Sequence, residues 1–420
     1  MAEDTLPPNG SKLLRFLPSI AQLDLNLTSQ SDPEHSVSQT RNTQSVRPGT
    51  LNQQESELHK MSTFESQAWL YTAGYQSLYF GKTEVPRAND IKGLGTTAHM
   101  LVKINACALN PVDVQMMNLP MWRLPTFGTP KGCVCDFSAT VIAGGRTGFV
   151  QGDEIFGLTL KPFIKGGGAL SEMAQLDVAN TVAVKKPKEW SHEKAAAISL
   201  VWLTAKACIE KVAQWVDETS TKRVAILGGS SAVGIYTIML AKQRGWKVVT
   251  TSSGRNKDFV TTTLNADEHV DYTQQKVRSA VQQFAPDAVI DCVGGTSCIG
   301  LPSSKRYVSI VGDKTGRSSM GGPYTYYNVL GPMALYQAAS QWIRWARGQY
   351  AGAEIYDVIV LDMNKQWLEE SKTTLSPDQI YIDSVFQFDE AKKAFEKLNT
   401  GRARGKVVIK ISDTGVKNTA

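Results

Sequence analysis

Val224-Ala-Ile-Leu-Gly-Gly-Ser-Ser-Ala-Val-Gly234 reads as an apolar strand entering a tight turn of small residues, which opens a helix beginning Ile235-Tyr-Thr-Ile-Met-Leu-Ala-Lys242. That arrangement aims backbone N–H groups and a positive helix N-terminus at a pyrophosphate. The next strand, Trp246-Lys-Val-Val-Thr-Thr-Ser-Ser253, lacks at its end the acid that would hold the free ribose hydroxyls of NAD. Ser252 and Ser253 stand there instead, with Arg255 and Lys257 just after, the hydroxyl and cationic groups that a 2′-phosphate requires. The sequence therefore predicts NADPH, cradled by Gly229, Ser230, Ser231, Ala232 and Val233. The competing reading of Arg255 and Lys257 is a solvated helix start with ordinary surface charge.

These residues need a scaffold, and the pattern after Val224 describes one. Strands at 224–227, 247–251, 268–270, 288–291 and 307–311 alternate with helical stretches at 235–243 and 256–263, the signature of a parallel doubly wound sheet. Before it, from Gln67, short β-like runs are broken by Gly and Pro; Leu101 to Leu109 is the clearest strand and leads into Asn110-Pro-Val-Asp113. Ser191 is a good N-cap, Lys194 stands where a capping box has Glu, and Ala195 to Leu203 is strongly helical. Near the C-terminus, a strand at 385–388, a helix at 389–398 and a strand at 406–411 look like a return to the β-rich part. The expected organisation is an α/β fold. Residues 1–62 form a largely disordered extension, 63–190 a β-rich domain completed by 366–413, and 191–365 the nucleotide-binding domain. In the extension, a Ser/Gln/Asn-rich stretch cannot offset its ordering entropy by burial. The apolar piece at 12–27 is a docked element, a partner-binding motif or a loose tail.

Of the 420 residues, 42% are hydrophobic and 20% charged, an ordinary globular composition. The net charge of +6 is spread out and does not interleave with aromatics, which argues against nucleic acid. Six cysteines form no C-x-x-C pair and follow no signal peptide, so they read as reduced thiols of a cytoplasmic protein. No apolar run reaches the roughly eighteen residues of a membrane span. His35, His59, His99, His192 and His269 show no metal-ligand spacing, Cys133 and Cys135 read as small buried residues, and no metal is expected. The segment 323–350 is rich in aromatics. Trp342 and Trp345 lie beside Arg344 and Arg347, giving a helical face suited to a homodimer or domain interface, to a cleft cap, or to a peripheral membrane contact.

The order of motifs resembles the zinc-independent quinone-oxidoreductase branch of the medium-chain dehydrogenase/reductase superfamily. The match runs through Asn110-Pro-Val-Asp113, Val150-Gln-Gly-Asp-Glu-Ile-Phe156, Gly167-Gly-Ala-Leu-Ser-Glu172, Ala195-Ala-Ala with Leu203-Thr-Ala205, the turn at 228–234, Asp291-Cys-Val-Gly-Gly295 and Gly401-Arg-Ala-Arg-Gly-Lys-Val-Val408. The resemblance implies a GroES-like domain beside a Rossmann domain, with NADPH and a quinone, enone or related carbonyl substrate in the cleft between them. It also implies that Asn110, Asp113 and Thr204 line the nicotinamide side, that Tyr272 lies near the adenosine phosphate, and that Cys292 and Gly294 approach the nicotinamide ribose. Arg404 and Lys406 would reach the cofactor phosphates or pair with surface acids, and Asp113 would otherwise cap a turn after Pro111.

Departures from the family pattern carry information. Zinc-dependent relatives have Cys at the place of Asn110 and Gly-His-Glu where this chain has Cys135-Asp136-Phe137. Enoyl reductases of the superfamily carry a Tyr soon after the Asn-Pro-x-Asp motif, where this chain has Trp122 and no evident proton donor. Ser231 and Ala232 replace two glycines of the usual turn, and a Cβ at a site wanting positive φ costs about 1 kcal/mol. That variant turn and the long extension resemble a fungal AST-type sub-branch implicated in delivering the plasma-membrane proton ATPase. This second resemblance implies a reductase-like scaffold acting in membrane-protein trafficking, as an alternative to hydride transfer to a small molecule.

Overall fold

The computed structural model describes residues 62–93, 99–118, 128–312 and 332–411. The extension, its apolar piece, Trp122 and the aromatics at 323–328 lie outside the described residues. Two strands, β1 (Thr63–Leu70) and β2 (Tyr79–Pro86), pair antiparallel. They are followed by β3 (His99–Leu109), β4 (Asp136–Ala143), β5 (Glu154–Thr159), β6 (Met173–Asp177) and β7 (Thr181–Lys185). A second series comprises β8 (Arg223–Leu227), β9 (Lys247–Ser252), β10 (Glu268–Asp271), β11 (Ala288–Asp291), β12 (Arg306–Ser309) and β13 (Ile355–Val358). The chain then returns with β14 (Ile382–Gln387) and β15 (Lys406–Lys410). The described helices are α1 (Ala88–Gly93), α2 (Pro111–Met117), α3 (His192–Ala196), α4 (Ser199–Asp217), α5 (Ala232–Gln243), α6 (Val277–Phe284), α7 (Pro332–Tyr350), α8 (Lys365–Thr374) and α9 (Ala391–Asn399).

The second series forms a wholly parallel sheet in the order β10-β9-β8-β11-β12-β13, a Rossmann-type doubly wound arrangement. Its strand order reverses between β8 and β11, so the crevice where such sheets take ligands opens at the ends of these two strands. The first series, closed by β14 and β15, forms a seven-stranded sheet in the order β14-β15-β3-β4-β5-β7, with β6 paired to β3. β15 lies antiparallel to β3, Val407 opposite Leu109 and Lys410 opposite Ala106. One core cluster runs from Ala108 and Phe156 of this sheet through Trp190, Trp202 and Tyr236 to Ile226 of the parallel sheet. Trp202 on α4 donates its indole N–H to Trp367 O at 2.7 Å and meets the Tyr236 ring of α5 edge-on.

Local chemistry explains the helix starts. The Ser191 side chain accepts the Lys194 N–H, as its N-cap position predicts. The helical run that follows is nevertheless broken, with α3 ending at Ala196 and α4 beginning at Ser199. The expected helix over 256–263 is present but irregular: it opens as a 3-10 turn at Gly254–Asn256 and ends as a π-turn at Phe259–Thr263. The expected strain in the glycine turn is also absent. Ser231 has φ −72 and ψ 157, an extended N-cap whose hydroxyl accepts the Gly234 N–H at 3.1 Å, and Ala232 is the first helical residue. The positive φ falls on Gly228 at 89°, which this chain keeps as glycine. Among the described residues no helix is long and apolar enough to cross a membrane.

Candidate functional site

The parallel register brings Leu227, Thr251, Ser252, Asp271 and Asp291 to the same edge of the sheet. The turn is pinned there: Gly228 N–H donates to Thr251 O and, at 2.8 Å, to Thr251 Oγ1, while Gly229 N–H donates to Thr251 O at 3.0 Å. A Cβ on Gly234 would lie 2.2 Å from Gly228 O, so the helix can approach the strand this closely only without a side chain. The first-turn N–H groups of a helix have no partners within it. Here Ser231 satisfies Gly234, which leaves those of Ala232 and Val233 as the other first-turn donors. This cradle fits a dinucleotide pyrophosphate.

Beside it, Asn256 joins the turn to the end of β9. Its Nδ2 donates to Ser230 Oγ at 3.2 Å and to Ser253 Oγ at 3.3 Å. Sequence reasoning missed this residue, since an Asn inside a supposed helix carries no motif. Ser252 is buried, with its hydroxyl bonded to His269 Nε2 at 2.8 Å, whereas Ser253 is half-buried and Arg255 and Lys257 are exposed. Arg255 donates to Arg402 O at 3.3 Å, and the Arg404 guanidinium sits 4.9 Å from the centre of the Phe259 ring. The returning loop before β15 thus meets Arg255 through the Arg402 carbonyl and brings the Arg404 guanidinium to Phe259. Tyr272 is exposed just past β10, its N–H donating to Ser252 O. At the end of β11, Asp291 Oδ1 accepts the N–H groups of Val293 and Gly294, and Cys292 is buried.

Burial holds the His269 imidazole below its ordinary value, with Asp271 opposing, and does the same to His192, with Glu154 opposing. A depressed histidine contributes stability that is complete above its unfolded pKa of 6.5 and is lost as pH falls through the lower folded value. Stability to urea is therefore expected to drop as pH falls below about 6.5, and His269→Gln to flatten that slope. A slope unchanged in the variant would show that His269 is not the titrating group.

The other predicted residues meet at a second, buried centre. Asn110 is the N-cap of α2, and Asp113 reaches back to it, accepting the Asn110 N–H at 2.7 Å and the Cys135 N–H at 2.9 Å. Burial pushes the Asp113 carboxyl up to about 6 against these two donors. Asp136 on β4 accepts the Leu200 N–H at 3.0 Å through Oδ1, and Asn110 Nδ2 at 2.9 Å and Lys406 Nζ at 3.0 Å through Oδ2. Lys406 also donates to Asn110 Oδ1. Lys406 and Arg404, read together from the sequence, therefore part company: one is buried beside Asn110, the other exposed by Phe259. Thr204 on α4 is nearly buried and donates to Leu200 O. Val134, next to this centre, holds φ 72, a strained value for a β-branched residue, with its carbonyl accepting the Ala169 N–H.

Ser138, His192 and Glu154 line up at 2.8 and 3.2 Å, but the Ser138 hydroxyl is fully buried and also bonded to Ile155 O. This array ties α3 to β4 and β5 and offers no exposed nucleophile.

A family model described as zinc-binding dehydrogenase matches residues 264–409. The mitochondrial NAD(P)H oxidoreductase RTN4IP1 of Homo sapiens is 30% identical over 342 residues, covering 74% of this chain and 81% of that protein. The chain belongs to the medium-chain dehydrogenase/reductase superfamily. The superfamily's oxidoreductases also include the trans-enoyl reductase pgmF of Aspergillus terreus, 27% identical over 83% of this chain and 96% of its own length. The quinone oxidoreductase of Coxiella burnetii superposes with a TM-score of 0.64 at 25% identity, covering 83% of this chain and all of the other. The superfamily's zinc does not fit the residues present. Among the described residues no group of three or more His, Cys, Asp or Glu could hold a metal ion. Burial raises the thiols of Cys107, Cys133 and Cys135.

Proposed function

We propose that this oxidoreductase is NADPH-dependent and zinc-independent, and that it reduces a quinone, an enone or a related carbonyl compound. The observation that carries the cofactor assignment is Ser253 and the exposed Arg255 following a strand, β9, that itself bears no acid, with the Arg404 guanidinium on the nearby Phe259 ring. Support for the substrate class comes from the names of the similar proteins, a trans-enoyl reductase and a quinone oxidoreductase. When bound, NADPH supplies the hydride to the electron-poor substrate atom, and water supplies the proton.

In this reading Ala232 and Val233 hold the pyrophosphate through their N–H groups, and Gly229 and Ser230 shape the approach. Ser253, Arg255 and Lys257 bind the 2′-phosphate, Tyr272 flanks the adenosine, and Cys292 and Gly294 present backbone to the nicotinamide ribose. Thr204 faces the nicotinamide side, and Asn110 and Asp113 act through the backbone they hold. Residues 191–365 carry the cofactor, while 63–190 with 366–413 complete the substrate side. Titration with NADPH and NADH, followed by fluorescence, tests this assignment. Arg255→Ala is expected to weaken NADPH about 10- to 100-fold, the value of one hydrogen bond between charged groups, and to leave NADH unchanged. Absence of binding of either nucleotide ends the reading.

A second reading, membership of the AST-type sub-branch with a trafficking role, draws support from α7. Tyr336, Trp342, Ile343 and Tyr350 are all exposed there, and the spacing of Tyr336, Ile343 and Tyr350 puts those three on one helical face. Liposome flotation of the full chain tests it, and failure to float at any anionic lipid content counts against a membrane role.

A further inference from the structure

The sequence resemblance puts Asn110 and Asp136 where zinc-dependent relatives carry ligands, and here the two groups hold one another. Asn110 Nδ2 donates to Asp136 Oδ2 at 2.9 Å, and the Lys406 ammonium donates to that same oxygen and to Asn110 Oδ1. Lys406 retains 2% of its exposure and Asp136 none, so no solvent shares the pair. The second oxygen of Asp136 accepts the Leu200 N–H, one of the first-turn donors of α4. A metal ion on this carboxylate would stand against a fixed positive charge within a few ångströms, with no water to screen it.

We propose that Lys406 is a resident cation that does a metal's structural work in this chain. The ammonium cross-links Asn110 at the end of β3 to Asp136 on β4 and, through Asp136, seats the first turn of α4 on the mixed sheet. Lys406 is a positioning residue for Asn110 and for α4, and its presence closes the locus to divalent metal. Because β15 delivers it, the centre exists only once the returning segment is in register with β3.

Two measurements on the full chain test this, and neither uses nucleotide or substrate, so the outcome is independent of the reductase reading. In the first, the melting temperature is taken with excess zinc and with EDTA. The expected result is the same value in both, and a zinc-dependent rise that EDTA reverses overturns the proposal. The second is a double-mutant cycle of Lys406→Met and Asp136→Asn. Each single change strands a buried polar partner and is expected to lower the melting temperature by about 5 °C or more. The double variant, which has no charge left to strand, is expected to be no worse than the worse single variant. A double variant as damaged as the sum of the two, or one that does not fold while the singles do, overturns the proposal. A single variant that does not fold beside a double variant that does supports it, since only coupled charges behave that way.

Discussion

Replacing Gly234 with valine is expected to destabilise the protein by about 3 kcal/mol and to weaken NADPH at least 100-fold. The added Cβ would stand 2.2 Å from Gly228 O and 2.9 Å from Ser231 Oγ, and the nearer obstacle is a carbonyl of the turn itself. Backbone cannot rotate aside as a side chain can, so the turn must open. Overpacking of this kind costs about 1–3 kcal/mol. Loss of the Ser231 cap adds about 1 kcal/mol. The binding loss follows from displacing the N–H groups of Ala232 and Val233, two donors to an anion worth about 1.5–3 kcal/mol each. Urea denaturation and NADPH titration of the same preparation measure both effects. Wild-type affinity in this variant would mean that the pyrophosphate does not sit on the turn.

The second large effect is expected at Asp136. Alanine there removes the counter-charge of Lys406, which is out of reach of water, and the acceptor of the Leu200 N–H in one change. Breaking a buried pair in this way costs about 3–5 kcal/mol, most of it from the charge left behind. A surface pair gives the scale for comparison: Lys82 and Glu65 meet at 2.7 Å but are 62% and 64% exposed. Glu65→Ala is accordingly expected to change stability by less than about 1 kcal/mol. Equal effects of the two substitutions in chemical denaturation would contradict the burial argument.

What could be read in the sequence was what neighbouring residues decide. The strand, turn and helix over 224–243 lie within one local pattern, and the alternation that follows it gave the parallel sheet almost strand for strand. Ser191 as a cap was legible for the same reason. Two things were not. The conformation at Ser231 depends on where the positive φ falls within the turn, and the glycine pattern suggested Ser231 or Ala232 when it belongs to Gly228. The partners of Lys406 depend on which strand β15 pairs with, and its sequence neighbour Arg404 gave no hint that the two side chains face different surroundings. Asn256 falls between these cases, because its value comes from touching Ser230, 26 residues away, from the 3-10 turn that opens the expected helix.

The return of β15 to β3 sets an order of events during synthesis. Residues Ala106 to Leu109 of β3 leave the ribosome early, but the strand that covers them follows almost a whole chain later, since Lys406 stands 296 residues beyond Asn110. At about 5–20 residues per second this is a wait of roughly 15 to 60 seconds. The parallel sheet between them waits less, because β9 and β10 add in turn to β8 and β11 reaches back only to β8. Throughout that interval β3 presents an open apolar edge at Ala106 to Leu109, the kind of edge that recruits strands from other chains. How much folded protein a cell obtains depends on how that edge is shielded during the interval.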